Sequence, residues 1–230
     1  MRLKTFSALM LFLVFASLTC FSQQDYVSRY DAFGAYSFLS APKLNLFENG
    51  FNTEFGVNVR TWLALGGDFS VFTGDSNLTP TELNAQTQAK LAPFLPLLPP
   101  GYVLAVPYSA NTYTYSAGPQ FNFRQLKAVT FFVRPALGAL HEAVTAHPKN
   151  DGIQPLIVAG LLPSGKTSDT VVFYGFGGGM DFNLSRHFAV RTAADFVHYD
   201  VFSNLLNGGR NAVRFSVGPT FRFGENIVKK

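Results

Sequence analysis

The fold of this chain follows from residues 213–223, which read VRFSVGPTFRF. Most odd-numbered positions of this stretch are apolar, namely Val213, Phe215, Val217, Phe221 and Phe223. The positions between them carry Arg214, Ser216, Thr220 and Arg222. Because a β-strand sends alternate side chains to opposite faces, this strand has one apolar face and one charged face. Such a strand suits a β-barrel that is surrounded by lipid and has a polar interior.

Seven further segments show a similar period-two alternation. The eight predicted strands are 31–41, 51–59, 63–73, 113–124, 129–141, 171–184, 188–199 and 213–223. Lipid accepts only helices and closed barrels as spanning structures, and no segment after the first 22 residues approaches the ~20 apolar residues of a membrane helix. The sequence therefore predicts an all-β protein: an eight-stranded antiparallel up-and-down transmembrane β-barrel.

The predicted connections alternate in length. Those at 60–62, 125–128 and 185–187 are short, whereas those at 42–50, 74–107, 143–168 and 202–210 are longer. This alternation predicts short periplasmic turns on one rim and long extracellular loops on the other. No second domain is expected, because the barrel domain takes up residues 23–224 and only a tail, 225–230, follows it.

Residues 1–22 have the pattern of a cleaved signal peptide. Arg2 and Lys4 precede an almost uninterrupted apolar run at 6–18, and small residues near Ser22 suit cleavage before Gln23. In the alternative interpretation Cys20 is lipidated, although Thr19 stands where a lipoprotein signal has Gly or Ala. Cleavage removes two of the 18 basic residues and leaves 16 against 14 acidic ones. This near balance does not favour nucleic acid as a partner.

Four segments carry a resemblance to a known family. They are GFNTEFGVNVRTWLALGGDFS at 50–70, SAGPQFNFR at 116–124, GGGMDFNLSRHFAVR at 177–191 and FSVGPTFRFG at 215–224. Together they resemble the OmpA-like, porin-like family of small bacterial outer-membrane β-barrels. The resemblance implies residence in the lipid bilayer of the bacterial outer membrane and insertion by the barrel-assembly machinery. It also implies a closing-strand signal formed by Phe215, Gly218, Phe221 and Phe223, but the family has no single activity to transfer.

The inward positions of the predicted strands carry many charged residues. We expect a lumen charge network formed by Glu54, Asp68, Arg124, Arg134, Asp181, Arg191, Asp195, Arg214 and Arg222. A barrel of about eight strands has a bore just wide enough for its own side chains. Because buried charges must be paired, this predicts a salt-bridged plug. The alternative is a narrow ion path that opens when the pairs exchange.

The aromatic residues and the loops suggest contacts outside the lumen. Two belts at the membrane interfaces are predicted to include Trp62, Tyr113, Tyr174, Phe182, Phe188 and Tyr199. The proline-rich segment 91–100 is predicted to be extended, and its apolar residues Phe94, Leu95, Leu97 and Leu98 form a candidate interaction loop. Alternatively, this loop packs over the barrel mouth on the second apolar loop segment, 156–163.

Three motifs that resemble catalytic or binding sites lack the required context. Residues 160–167, GLLPSGKT, match a phosphate-binding loop, but a strand pattern rather than a helix follows them. His141 and His147 are six residues apart, not the four of a zinc helix. His198 with Asp195, Asp200 and Ser203 could serve hydrolysis, but lacks the compact order of rim-level lipid-modifying barrel enzymes. The sequence thus implies no cofactor and no bound metal.

The predicted function is that of an integral outer-membrane barrel with a structural or surface-interaction role and a largely closed lumen, not an enzyme. A narrow porin-like channel for ions or small solutes is the first alternative. A rim-level lipid-modifying enzyme that uses His198 is the second. A partner outside the cell would contact the long loops.

Overall fold

The computed structural model describes residues 24–228 and shows a closed barrel of eight antiparallel strands. The strands are β1 (Ser28–Ala41), β2 (Leu46–Asn58), β3 (Leu63–Leu78), β4 (Val106–Phe123), β5 (Val129–Ala146), β6 (Lys166–Asn183), β7 (Phe188–Tyr199) and β8 (Arg210–Asn226). Each strand pairs with its neighbours in the chain, and β1 pairs with β8 to close the sheet. The predicted fold class is therefore confirmed. The predicted signal peptide, with Cys20, and the last two residues of the predicted tail lie outside the described residues.

The two ends of the barrel differ as the loop pattern predicts, with one exception. Tight turns at 59–62, 124–128 and 184–187 define the short-turn end, and long connections at 79–105, 147–165 and 200–209 define the mouth. The predicted long loop 42–50 is wrong, because only the 3-10 helix Pro42–Leu44 and Asn45 join β1 to β2. Asn45 takes a left-handed conformation with φ 47°, which Asn tolerates better than most residues and which turns the chain sharply.

Several strands extend toward the mouth beyond their predicted ends. β4 begins at Val106 rather than at Tyr113, and its buried residues there are the apolar Val106, Tyr108 and Ala110. The alternation in this part is therefore the reverse of that in residues 213–223, with apolar side chains inside the barrel. At the opposite, short-turn end, β8 continues beyond the predicted domain boundary at Gly224, and its last residue, Asn226, pairs with Ser28.

The outward face of the strands forms an apolar girdle. Its exposed side chains include Phe51, Phe55, Phe69, Tyr115, Phe131, Val133, Leu137, Phe176 and Phe215. Neither helix in the described part of the chain is long and apolar enough to cross a membrane. The girdle places large apolar side chains where they would meet hydrocarbon if the barrel were surrounded by lipid.

The connections at the mouth fold into a cap, which consists of helix α1 (Ala85–Leu91), the 3-10 helix Ala92–Leu97, helix α2 (Gln154–Leu161) and the loop 200–209. The extended conformation predicted for 91–100 is wrong. Asn84 starts α1 by accepting a hydrogen bond from the Thr87 backbone N–H at 2.8 Å, and Pro93 lies near the start of the 3-10 helix, where a missing N–H is tolerated.

Candidate functional site: the charged lumen and its capped mouth

Asp195 lies at the centre of the lumen and binds two arginines. The Nε and Nη2 atoms of Arg134 donate to its two carboxylate oxygens at 3.0 Å each. Nε and Nη2 of Arg214 donate to Oδ2 at 3.0 and 2.9 Å. Asp195 is 0% exposed, so these charge-assisted hydrogen bonds replace its contact with water.

Each of these arginines also binds a second carboxylate. Arg214 holds Asp68 with two parallel hydrogen bonds, Nη1 to Oδ1 at 2.9 Å and Nη2 to Oδ2 at 3.0 Å. Arg134 donates through Nη1 to Oε2 of Glu54. Because β2, β3, β5, β7 and β8 supply these five residues, the ion pairs cross the bore rather than follow its wall.

The ion pairs continue toward the short-turn end through Arg191. Its Nη1 donates to Glu54 Oε1 at 2.8 Å, and its Nε and Nη2 donate to the two oxygens of Asp181 at 2.7 and 3.1 Å. Arg222 donates to Asp181 Oδ2 at 2.6 Å. The result is one unbroken charged chain of alternating sign: Asp68, Arg214, Asp195, Arg134, Glu54, Arg191, Asp181 and Arg222.

Arg124 joins this charged chain only indirectly. It donates to the Thr61 carbonyl at 2.9 Å and to Asn58 Oδ1 at 3.1 Å, and no carboxylate of the described residues lies within ion-pair distance of it. Asn58 in turn donates to Asp31 Oδ2 at 3.0 Å. Arg124 follows the last residue of β4, where the lumen widens into a vestibule of about 850 Å³ at the short-turn end.

Glycines and aromatic rings shape the space around the charged chain. A Cβ atom at Gly177 would lie 1.8 Å from Asp195 Oδ1, so glycine at this position leaves room for the central carboxylate. The guanidinium of Arg191 lies over the buried rings of Phe132 and Phe33, at 4.8 and 5.3 Å from their centroids. Such contacts stabilise a desolvated cation beyond its ion pairs.

The network prediction misses four buried charged residues: Asp31, Glu48, Glu142 and Arg210. Asp31 lies 4.0 Å from Arg191 Nη2, and Glu48 accepts a bifurcated hydrogen bond from the Thr112 hydroxyl, 3.0 Å to each oxygen. All four share the inward parity of their strands, which was a usable signal. Glu48, Glu142 and Arg210 were not included in the predicted network because the predicted strands ended before reaching the mouth.

Apolar packing closes the mouth above Glu48, Glu142 and Arg210. Leu83, Leu91, Ile157, Val158 and Leu206 belong to one buried cluster, with inward residues of the strands below. Within the candidate interaction loop, Phe94 and Leu98 pack against this cluster, whereas Leu95 and Leu97 are 46% and 64% exposed. The two apolar loops therefore meet over the barrel, and Leu95 and Leu97 remain on the surface.

The residues assigned to aromatic belts divide into two groups. Trp62, Tyr174, Phe182 and Phe188 are exposed on the outer face, and Tyr113 is partly exposed. Tyr199 is a wrong assignment, since it is 2% exposed and lies within the buried cluster under the cap. It shares inward parity with Asp195 and Val197, so its parity argues against a place in the outer belt.

The four residues of the closing-strand signal lie on β8 as their parity requires. Phe215, Phe221 and Phe223 are on the outer face, and Phe223 stacks on Tyr30 of β1 with 5.5 Å between ring centroids. Gly218 faces inward, and a Cβ there would lie 2.1 Å from the Gly34 carbonyl oxygen. A glycine at this position thus permits close pairing of β8 with β1.

The three discounted motifs do not assemble into sites. The 160–167 segment runs from helix α2 into strand β6, the reverse of the strand-to-helix order that a phosphate loop needs. His141 pairs with Thr170 and His147 with Ser109, and residues 24–228 contain no metal-binding group of three or more His, Cys, Asp or Glu side chains. His198 is partly exposed and lies 2.7 Å from Asn211 Oδ1, whereas Asp195 points into the lumen.

The apolar girdle, the charged lumen and the closed sheet together define a transmembrane β-barrel fold. Neither protein-family models nor curated proteins match the sequence. Among solved structures, Neisserial surface protein A is similar with a TM-score of 0.53 and 10% identity, over 84% of this chain and 96% of that one. Outer membrane protein OprG from Pseudomonas aeruginosa is similar with a TM-score of 0.52 and 8% identity, over 89% of this chain and 100% of that one. The chain therefore has the fold of small outer-membrane β-barrels, in agreement with the resemblance found in its sequence.

Proposed function

We propose that the protein is an integral outer-membrane barrel with a closed lumen that acts in envelope structure and surface contacts. The main support for this proposal is the unbroken charged chain from Asp68 to Arg222, which crosses the bore and contains four cations and four anions. Every charge in it has a partner of opposite sign. An ion that entered the lumen would have to separate several of these pairs, each of which is costly to break in a desolvated interior.

The volumes along the barrel axis support a closed lumen. A cavity of about 20 Å³ lies beside the charged chain and is bordered by Glu54, Asp68 and Arg134. It has room for a water molecule or two, since one water needs about 10–15 Å³. Above it, the cap adds an apolar layer in which an unaccompanied ion would be unstable.

The outer surface supports the proposed location and contacts. The apolar girdle suits a lipid bilayer, and small outer-membrane barrels share the fold. In this proposal the signal peptide 1–22 directs export, and the barrel-assembly machinery inserts the chain with help from the closing-strand signal. Contacts outside the cell would involve exposed cap residues such as Leu95 and Leu97, and no enzymatic step is proposed.

Conductance in planar lipid bilayers tests the closed lumen. Refolded protein, with insertion confirmed by its heat-dependent gel mobility, should give a silent membrane. Asp195→Ala removes the carboxylate at the centre of the charged chain. Asp75→Ala removes an exposed carboxylate from the mouth end of β3 and serves as the control. Discrete steps in the unmodified protein that change in Asp195→Ala but not in Asp75→Ala would establish the narrow channel instead.

A further inference from the structure

Outside the charged chain, the charged residues that are not buried are unevenly distributed between the two ends of the barrel. The short-turn end carries five cations and two carboxylates: Arg29, Arg60, Arg124, Lys127 and Arg186, with Asp25 and Glu225. The mouth carries four cations and five carboxylates: Lys43, Lys90, Lys149 and Lys166, with Asp75, Glu82, Asp151, Asp169 and Asp200. The short-turn end therefore has a surplus of positive charge, and we call its five cations the basic rim.

Few of the charges in the basic rim are neutralised by a neighbour. Lys127 lies 3.2 Å from Asp25, but both side chains are exposed, and such an ion pair contributes little. No carboxylate in residues 24–228 lies within ion-pair distance of the other four cations. The basic rim can therefore attract an anion from outside the chain.

Two members of the basic rim border a groove between neighbouring turns. The groove has a volume of about 190 Å³ and is lined by Lys127 and Arg186, by the largely buried Arg222, and by one carboxylate, Asp25. Ser185 also lines it, and its hydroxyl oxygen accepts two backbone hydrogen bonds, at 3.0 and 3.3 Å, so the hydroxyl hydrogen remains available to a ligand. Charge-assisted hydrogen bonds from Lys and Arg suit a phosphate group.

The basic rim lies at the edge of the apolar girdle. The girdle reaches the turns with Trp62, Leu184 and Phe188, which are all exposed. Arg60 and Arg186 are each two residues from one of these side chains. Where such a girdle lies in hydrocarbon, cations at its edge lie at the level of the lipid headgroups. This position favours a lipid surface over a soluble anion as the partner.

We propose that the basic rim binds the phosphate groups of anionic phospholipids in the leaflet that it faces. The groove between Lys127 and Arg186 would hold one phosphate group, and Arg60 would attract a second lipid beside Trp62. In the proposed orientation this leaflet faces the periplasm. The inference rests on the membrane location in the proposed function but not on the closed lumen.

Fluorescence of Trp62 tests the lipid preference directly, because it is the only tryptophan of the chain. Vesicles of phosphatidylcholine receive increasing fractions of brominated phosphatidylglycerol or of brominated phosphatidylcholine, whose bromine atoms quench a tryptophan that they contact. A cation near an anionic membrane surface strengthens binding about fivefold, so we expect phosphatidylglycerol to be preferred by about that factor. The preference should fall in 1 M sodium chloride, where charges are screened beyond about 3 Å. Equal quenching by the two lipids at low salt would overturn the proposal.

Arg60→Gln and Lys166→Gln form a matched pair, since they remove one exposed cation each from opposite ends of the barrel. Arg60→Gln should abolish most of the preference measured at Trp62. Lys166→Gln, at the mouth end of β6, should leave that preference unchanged. An unchanged preference in Arg60→Gln, or an equal loss in both variants, would contradict the assignment to the short-turn end.

A second tryptophan position examines the groove. In the double variant Trp62→Phe and Phe188→Trp, the only tryptophan lies on the outer face beside the turn that carries Arg186. We expect about the same fivefold preference there and its loss when Arg186→Gln is added. Leu184→Trp is the alternative position if Phe188→Trp does not fold. A preference that is missing at position 188, or that survives Arg186→Gln, would exclude the groove as a phosphate site.

Competition separates the lipid from soluble anions. Inorganic phosphate, or polyglutamate as a soluble polyanion, should lower the preference no more than sodium chloride of equal ionic strength. A larger fall with phosphate would make a free anion the ligand, a larger fall with polyglutamate would make it a soluble polymer, and either result would overturn the lipid. Heat-dependent gel mobility checks insertion of every variant. Its absence would count against the membrane barrel itself, whereas an inserted barrel without lipid preference contradicts only the present inference.

Discussion

The same eight strands form the charged lumen and the capped mouth, but the face that carries the apolar side chains differs between these two regions. In the girdle, β8 places Phe215 outside and Arg214 inside, whereas at the mouth β4 places Tyr108 inside and Ser109 outside. One continuous sheet therefore changes from a lipid-facing pattern to the pattern of a soluble barrel. The medium outside the strand therefore determines which of its two faces is apolar.

The two regions also differ in what holds them together. The charged chain is stable because each buried charge has partners, and removal of one leaves others uncompensated. The cap is a hydrophobic cluster whose members contribute separately through buried area and packing. Substitutions in the first region should therefore act on the whole barrel, and those in the second should act locally.

The largest effect is expected from Asp195→Ala, which leaves Arg134 and Arg214 without their shared carboxylate. Loss of one partner from a buried ion-pair system costs about 3–5 kcal/mol. Urea unfolding in lipid or detergent, followed by tryptophan fluorescence of Trp62, measures this loss. Asp75→Ala, which removes an exposed carboxylate, should change the free energy of unfolding by less than about 0.5 kcal/mol. Similar values for the two variants would contradict a stabilising role of the charged chain.

A smaller and more local effect is expected from Ile157→Ala. Ile157 is 2% exposed under α2, and such a truncation costs about 2–5 kcal/mol at a fully packed site. Hydrogen exchange should become faster in α2, while the urea midpoint of the barrel stays nearly unchanged. A large fall of that midpoint would show that the cap and the barrel unfold as one cooperative unit.

Gly177→Ala probes how closely the charged chain is packed. The added Cβ would meet Asp195 Oδ1 at 1.8 Å and the Ala194 carbonyl oxygen at 3.0 Å, so we expect a loss of about 1–3 kcal/mol on urea unfolding. Gly34→Ala on β1 is the control, since its Cβ would have no neighbour within 4 Å. Equal stability of the two variants would mean that Asp195 moves aside without penalty.

The smallest effect concerns acid conditions at the cap. A hydrogen bond from Tyr102, followed by one from the Gln154 backbone N–H, lowers the pKa of Asp151 below its ordinary value of 3.8. The ionised carboxylate therefore stabilises the start of α2 above that ordinary value, and this contribution disappears as the pH falls through the lower folded pKa. The Ile153 methyl signal should shift below about pH 4 in the unmodified protein, while the signal of the Asp151→Asn variant stays constant. A parallel shift in that variant would exclude Asp151 as the cause.

Part of the site was predictable from parity within short segments. The inward positions of Glu54, Arg134 and Asp195 follow directly from period-two alternation, because a one-residue shift would place every charge against lipid. The partners of each charge were not predictable, since Glu54 and Arg191 are separated by 137 residues and meet only after the barrel closes. The surroundings of Arg124 were not predictable either. Its position in the alternation is inward, but it lies where the lumen opens into the vestibule at the short-turn end.

Alternation along the chain predicts the number of strands and the charged lumen, because lipid permits only helices and closed barrels as spanning structures. The short turns between successive segments predict their antiparallel order. Only the closed tertiary structure decides where the strands end and what the mouth contains. Above the girdle, water lies outside the barrel and the cap lies inside, so apolar residues turn inward and Tyr199 becomes part of a core. The same strands are therefore apolar on the outside within the girdle and apolar on the inside at the mouth. The position of each residue along the barrel axis determines which pattern it follows.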